Sequence, residues 1–242
     1  MSMCRGLPLV LTLLATTGGA GARAAPGGSD PRVRSSGTAA DLKLHEAVKA
    51  GRVAEVEELL DAGADIEAKP FEFYYAPPLH FAVLKGHRDL VRQLLDNGAN
   101  VNGAELRHGS TALHVAAARG EYDIASHLLF RGADVNARNK ERGHTPLHVH
   151  EAARGGFPAV VTLLLDAGAE RQSTDSLGEA TALHIAAKSG KIEAFAASLL
   201  NTSSAEARQS LLNAEDSDGM KAEDHWPEVK EVSRYQDLHN EL

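Results

Sequence analysis

Histidine is the residue type with the most evident chemistry in this chain, which contains twelve of them. His144, His148 and His150 fall within one short stretch, and Glu151 follows directly. Imidazole nitrogens and carboxylates are common ligands of zinc and related metals. The cluster therefore raises one hypothesis, a metal-dependent enzyme or a metal binder at these residues.

The sequence lacks the usual catalytic and cofactor motifs. It contains no Gly-x-Ser-x-Gly, no phosphate-binding loop, no His-Glu-x-x-His and no dinucleotide fingerprint. Asp216 and Asp218 form a pair of carboxylates, but they precede Gly219 in a stretch typical of a turn. We therefore predict a protein that is not an enzyme and has no catalytic residues, no cofactor and no metal; the histidine cluster is the alternative from another functional class.

Five of the histidines belong to a repeating pattern. Leu-His pairs occur at Leu44-His45, Leu79-His80, Leu113-His114, Leu147-His148 and Leu183-His184, with spacings of 35, 34, 34 and 36 residues. A second pattern, Leu-Leu-x-x-Gly-Ala, recurs at Leu59–Ala64, Leu94–Ala99, Leu128–Ala133 and Leu164–Ala169. A fixed period of this size predicts an array of stacked structural repeats.

Each period contains the signals of two short helices. Thr111 suits a helix N-cap, Pro78 suits a first helical position, and Gly120 suits a left-handed helix end. Each helix has one apolar stripe, and neither can bury that stripe alone. The sequence therefore predicts helix pairs that form a core only by stacking on their neighbours.

The stretch Gly109–Ala137 resembles the ankyrin repeat, with its Gly-x-Thr-Pro-Leu-His-x-Ala-Ala-x-x-Gly and Leu-Leu-x-x-Gly-Ala-x-x-Asn-Ala patterns. The resemblance extends over about residues 41–224. It implies an all-α solenoid of about five helix-turn-helix repeats with hairpin-like junctions. It also implies that the Leu-His histidines bond backbone groups of neighbouring turns, and that Asn102 and Asn136 stabilise turns at the junctions.

This resemblance gives the expected organisation of the chain. We predict a signal peptide (1–25), a flexible leader (26–40), an N-terminal capping repeat (41–68), repeats two and three (74–103 and 108–137), a fourth repeat with a two-residue insertion (142–173), a fifth repeat with an insertion (178–212), and a half-repeat cap with an acidic tail (213–242). The fourth-repeat insertion is Val149-His150. Arg171 occupies a position where the family has a buried apolar residue, so we expect weaker stacking there.

Both ends of the chain contain targeting signals. Arg5 and the apolar run Leu7–Ala15, followed by small residues, are typical of a secretory signal. The last four residues, His239–Leu242, resemble an endoplasmic reticulum (ER) retrieval signal. Asn201 begins an Asn-x-Ser/Thr triplet, a glycosylation acceptor. We predict a glycosylated protein of the ER lumen without a membrane span in its mature chain; a secreted effector or extracellular binder and a plastid transit extension are the alternatives.

The resemblance implies that the protein binds another protein through a concave face of first helices and junction fingers. A net charge of −8 argues against nucleic acid as the ligand. The expected binding residues are the aromatic Phe71, Phe73, Tyr74 and Tyr75, the junction residues Leu106, Arg107, His108, Arg138, Lys140 and Arg142, and the first-helix residues Leu84, Arg119, Arg154 and Lys188. The basic residues predict an acidic partner for a monomeric protein. In the alternative, the aromatic rings cover the N-terminal repeat.

Overall fold

The computed structural model describes residues 38–70, 76–148, 157–176, 180–189 and 205–225. All of these residues belong to one compact unit. Outside them lie the predicted signal peptide, most of the leader, Phe71, Phe73, Tyr74 and Tyr75, the Val149-His150 insertion with Glu151 and Arg154, Asn201, the last four residues and the side chain of Lys188.

Ten helices make up the regular structure of the described part. In chain order they are α1 (Ala39–Ala50), α2 (Val53–Asp61), α3 (Pro78–Lys85), α4 (Arg88–Asp96), α5 (Ala112–Arg119), α6 (Tyr122–Phe130), α7 (Pro158–Asp166), α8 (Ala182–Ser189), α9 (Ala205–Asn213) and α10 (Ala222–His225). The described residues form three isolated β-bridges but no strand. The prediction of an all-α fold is therefore confirmed.

The helices pack as pairs that stack in two rows. Within a repeat, α1 packs on α2, α3 on α4 and α5 on α6. Between repeats, α1 contacts α3 and α3 contacts α5, while α2 contacts α4, α4 contacts α6 and α6 contacts α7. We call the first row, α1, α3 and α5 with its junctions, the inner face, and the second row the outer face. The core lies between the rows.

Local sequence explains where these helices begin and end. Pro78 occupies the first turn of α3, where a missing N–H costs nothing. Gly120 ends α5 with φ of 71°, and a Cβ there would lie 2.5 Å from the ring of Phe157. The position therefore needs glycine both for its backbone conformation and for the close packing of the next repeat.

The junctions are short hairpin-like turns, as predicted. Isolated bridges pair Ala104 with Thr111, Thr174 with Thr181 and Glu215 with Lys221. A carboxylate or amide side chain closes each turn by accepting backbone N–H groups, and the residues that do so are Glu105, Asn139, Asp175 and Asp216. The turns are therefore stabilised by their own side chains.

The Leu-His histidines join each first helix to the next junction. Nδ1 of His114 lies 3.1 Å from the Thr111 backbone N and 2.8 Å from its hydroxyl oxygen, and Nε2 lies 2.9 Å from the His144 carbonyl oxygen. Because a carbonyl oxygen only accepts, Nε2 bears the proton and Nδ1 accepts. The same Nε2 link joins His45 to Ala76 (3.0 Å), His80 to Ser110 (2.8 Å), His148 to Ser173 (2.6 Å) and His184 to Met220 (3.2 Å). The implied role of these histidines is confirmed.

Two asparagines join consecutive turns on the outer side of the junctions. Asn102 donates from Nδ2 to the Gly132 carbonyl (3.1 Å) and accepts at Oδ1 from the Asp134 N–H (2.8 Å). Asn136 makes the same pair of bonds one repeat later, to Gly168 (3.3 Å) and Glu170 (2.9 Å). Their implied turn role is therefore confirmed.

The contact between the fourth and fifth repeats differs from those before it. Ile66, Val101 and Val135 pack against the core at the equivalent junction position of the earlier repeats. Arg171 takes this place in the fourth repeat and lines an open cleft of about 620 Å³ with Leu165 and Leu211. The weaker stacking that we expect at Arg171 stays a prediction.

None of the described helices is long and apolar enough to cross a membrane.

The histidine links predict that the fold loses stability in mild acid. Burial lowers the pKa of His80 and of His148 from 6.5 to about 4, and burial also lowers the pKa of His114 and of His184. The unfolded chain therefore binds more protons than the folded one between pH 6.5 and 4, so stability is full above this window and falls as pH decreases through it. From pH 7 to pH 5 we expect a loss on the order of 2 kcal/mol for each histidine shifted to about 4.

Urea unfolding at a series of pH values measures this loss. Carboxylates with ordinary pKa values near 4 stay largely ionised above pH 5, so the histidines dominate the change. The interval from pH 8 to pH 7 is the internal control, where the free energy of unfolding should stay level. A constant free energy of unfolding from pH 7 to pH 5 would contradict the links.

Candidate functional site

An apolar cleft of about 240 Å³ opens on the inner face between α3, α5 and the junction of residues 104–110. We call it the inner cleft. Its lining residues are Ala76, His80, Phe81, Leu84, Glu105, Arg107, His108 and Val115. Leu84 is 41% exposed beside it, and the junction residue Leu106 is 53% exposed. This surface can accept an apolar group from outside.

Helical spacing positions the apolar wall of the inner cleft. Phe81 and Leu84 lie three residues apart on α3, which places them on one side of the helix. The Phe81 ring makes an edge contact with His45, with centroids 5.9 Å apart, and only 9% of the residue is exposed. Val115 takes the register of Phe81 one repeat later, since both residues directly follow a Leu-His pair. The wall therefore combines a packed ring with exposed aliphatic groups.

A buried carboxylate shapes the opposite wall. Glu105 is 9% exposed and accepts backbone N–H groups from Arg107 (2.7 Å), His108 (2.5 Å) and Ser110 (3.3 Å). The Lys69 ammonium donates to the neighbouring Ala104 carbonyl at 2.8 Å. Because the carboxylate already has these donors, it holds the junction in shape while Arg107 stays exposed to solvent.

The structure brings only part of the predicted binding set together. Leu84 and Arg107 line the same cleft. Arg119 lies at the end of α5, with Nε 3.9 Å from a carboxylate oxygen of Glu121. Lys140 and Arg142 are exposed on the following junction, where their backbone joins the neighbouring junctions: the Lys140 N–H donates to His108 O and the Ser176 N–H to Arg142 O, each at 2.7 Å.

Arg138 has a different setting from the other predicted basic residues. Its Nη1 donates to the carbonyls of Gly143 (3.1 Å) and Thr174 (2.8 Å), and Nη2 donates to the Ser173 hydroxyl (2.6 Å). The bonds to Thr174 and Ser173 join its own junction to the next one, and the bond to Gly143 closes its own junction. A guanidinium with three internal acceptors stabilises the stack, and Lys140 and Arg142 are the exposed cations beside it.

Sequence reasoning missed Phe81, Val115 and Glu105 as parts of this surface. The signal for the first two is the residue that follows each Leu-His pair. It is charged in the first repeat, at Glu46, and apolar in the four later repeats, at Phe81, Val115, Val149 and Ile185. Glu105 has no comparable signal, because a lone carboxylate in a turn is common on any surface.

His148, the central residue of the predicted histidine cluster, has a structural role. Both ring nitrogens of His148 are engaged, Nδ1 with the Thr145 hydroxyl (2.8 Å) and Nε2 with the Ser173 carbonyl (2.6 Å). The His144 ring stacks on it with centroids 5.9 Å apart, and its Nε2 lies 3.6 Å from a carboxylate oxygen of Asp175. Within the described residues, no three His, Cys, Asp or Glu side chains converge as metal ligands do. His150 and Glu151 lie outside that part.

Comparison with known families gives two matches. Residues 44–139 match the family model described as ankyrin repeats in three copies. Residues 142–176 match the model described as a single ankyrin repeat. Together the two matches span more than half of the 242 residues.

Arg138 and Arg142 form a matched pair, because both are exposed and Arg138 also donates hydrogen bonds to the next junction. Replacing Arg138 with Ala removes two hydrogen bonds to the next junction and one within its own junction, so we expect the free energy of unfolding to fall by about 1–3 kcal/mol. Arg142 is exposed, and Arg142→Ala should change it by less than about 0.5 kcal/mol. Chemical denaturation of the two variants provides the comparison; equal stability losses would show that the Arg138 bonds do not hold the junctions.

Proposed function

This chain belongs to the ankyrin-repeat family, and we propose that its inner cleft is the site where it binds a protein partner. Ankyrin repeats indicate a protein–protein interaction module. The observation that supports this site is an apolar cleft lined by the exposed Leu84, with the exposed Leu106 next in sequence to the lining residues Glu105 and Arg107. Exposed apolar groups in a formed cleft are a usual mark of a binding surface.

The charges around the inner cleft support an acidic partner. Arg107 lines the cleft, and Lys140 and Arg142 are exposed on the next junction. The charge of Glu105 is engaged by its own loop. The proposed partner therefore inserts an apolar side chain between α3 and the junction and places carboxylates beside the cations.

The predicted aromatic residues extend this proposal towards the N-terminus. Phe71, Phe73, Tyr74 and Tyr75 directly precede Ala76, a residue that lines the inner cleft. Aromatic side chains bury a large area with few rotatable bonds, which makes them favoured interface anchors. We include them in the proposed surface for this reason.

The links between repeats favour binding through a preformed surface. His80 joins α3 to the junction at Ser110, and Lys69 joins the preceding junction to Ala104. Side chains that are already held lose less conformational entropy on association. The function that we propose is therefore rigid presentation of a surface to a partner, and the cleft needs no catalytic group for it.

Truncation of one exposed leucine tests the proposed surface. Proximity labelling in the cells of origin first identifies a partner, whose affinity is then measured with purified proteins. Leu84→Ala should weaken binding by about tenfold or more, because it removes apolar contact in the cleft. Val53→Ala is the matched control, since Val53 is 42% exposed on the outer face against 41% for Leu84. Equal affinities of the two variants would place the partner elsewhere.

We further propose that the protein resides in the ER lumen, glycosylated at Asn201. The apolar run Leu7–Ala15, the Asn-x-Ser/Thr triplet and the tetrapeptide His239–Leu242 support this proposal, and all three lie outside the described residues. Retrieval receptors read a free C-terminal tetrapeptide. Deleting His239–Leu242 should therefore release the protein into the medium.

Pulse-chase secretion of the full chain and of the deleted chain measures this release. Glycosidase treatment should increase the electrophoretic mobility of the full chain and leave an Asn201→Gln variant unchanged. Efficient secretion of both chains would favour the alternative, a secreted binder. Absence of the full chain from the secretory pathway would remove the compartment proposal altogether.

A further inference from the structure

Phe130 is the most exposed large apolar side chain of the described part, with 84% of the residue accessible. It is the last residue of α6, on the outer face and away from the inner cleft. The same helix position holds Asp61 in α2, Asp96 in α4 and Asp166 in α7. The repeat architecture therefore accommodates an aspartate here, and packing of the fold does not require the phenylalanine.

Phe130 borders a cleft of about 320 Å³ between α4 and α6, which we call the outer cleft. Two cross-helix ion pairs tie the walls at its two ends. Arg88 of α4 pairs with Asp123 of α6 where the two helices begin. Arg131 pairs with Asp96 at 2.6 Å where the two helices end. Arg131 also donates to the Leu95 carbonyl at 2.7 Å. The cleft is thus a fixed feature of this pair of helices.

The middle of the outer cleft contains polar groups that make no hydrogen bond or ion pair with the other described residues of its walls. Nε2 of His127 is buried and has no hydrogen-bond partner among the described residues. This Nε2 atom has almost no accessible surface, so the donor that a ligand in the cleft can reach is the guanidinium of Arg92. Arg92 lines the same cleft and is exposed, whereas the carboxylate of Asp123 is paired with Arg88.

These groups define the chemistry of a ligand. The His127 ring lies beside the Phe130 ring, with centroids 6.5 Å apart and planes at 24°. A carboxylate could accept hydrogen bonds from the Arg92 guanidinium, while an apolar neighbour covers the exposed ring of Phe130. Because the charge that the outer cleft presents is that of Arg92, two copies would oppose like charges in a symmetric dimer; an asymmetric contact between copies would propagate into filaments.

We propose that the outer cleft is a second protein-binding site, which takes a peptide segment of another protein that places an Asp or Glu beside a large apolar residue. It is separate from the inner cleft, so the chain can hold two partners at once. The inference does not depend on the proposed function of the inner face.

Peptide display followed by affinity measurement tests the second site. A library of random linear peptides is selected on the full protein in the presence of excess Phe130→Asp variant as competitor, so that only ligands of the outer cleft survive. The selected peptides should pair a carboxylate with an adjacent apolar residue. Phe130→Asp and Arg92→Ser, which install residues found at the same positions in other repeats, should each weaken the binding of a selected synthetic peptide by about tenfold or more.

Matched controls make the result decisive. Leu84→Ala on the inner face should leave the affinity unchanged, and replacing the peptide carboxylate by its amide should reduce it by about tenfold. Thermal unfolding of each variant shows that it remains folded. Selected peptides without a carboxylate, or affinities that survive both Phe130→Asp and Arg92→Ser, would overturn the proposal. Sedimentation showing a dimer that Phe130→Asp dissociates would assign the cleft to a second copy and overturn it equally.

Discussion

The hydrogen bond from a histidine Nε2 to a carbonyl of the next junction is the interaction on which this structure depends. It occurs five times in the described part, from His45 to His184. Each ring joins its own repeat to a backbone carbonyl that lies 25 to 36 residues further along the chain. Local helices of eight or nine residues would be marginal alone. Stacking in a fixed register gives them a shared core.

Because the register is fixed, the two faces of the stack can differ in chemistry without changing the fold. The inner face varies at the residue after each Leu-His pair, where Phe81 and Val115 make an apolar wall. The outer face varies at the last helical residue, where Phe130 replaces the aspartate of other repeats. The residues that differ between repeats at these two positions are not the buried leucines. The chemistry of the surface can therefore vary largely independently of the residues that fold the stack.

Periodicity in the sequence was enough to predict the repeat fold, since the buried leucines, the caps and the glycine ends all follow a local rule. It also found Leu84 and Arg107, which line one cleft. It could not show that Arg138 donates hydrogen bonds to the next junction, because those acceptors are a backbone carbonyl and a hydroxyl of residues about 35 positions away. Nor could it show Phe130 as exposed, since a phenylalanine after two leucines looks like core.

Heteronuclear NMR of the imidazole rings tests the register-setting bond most directly. The account predicts that at pH 6.5 His80, His114, His148 and His184 are neutral, with the proton on Nε2, and that this proton exchanges slowly with water. Nε2 donation to a carbonyl and burial of each ring both require this result. Rings that carry the proton on Nδ1, or that titrate near pH 6.5 with fast exchange, would show that the repeats are held together in another way.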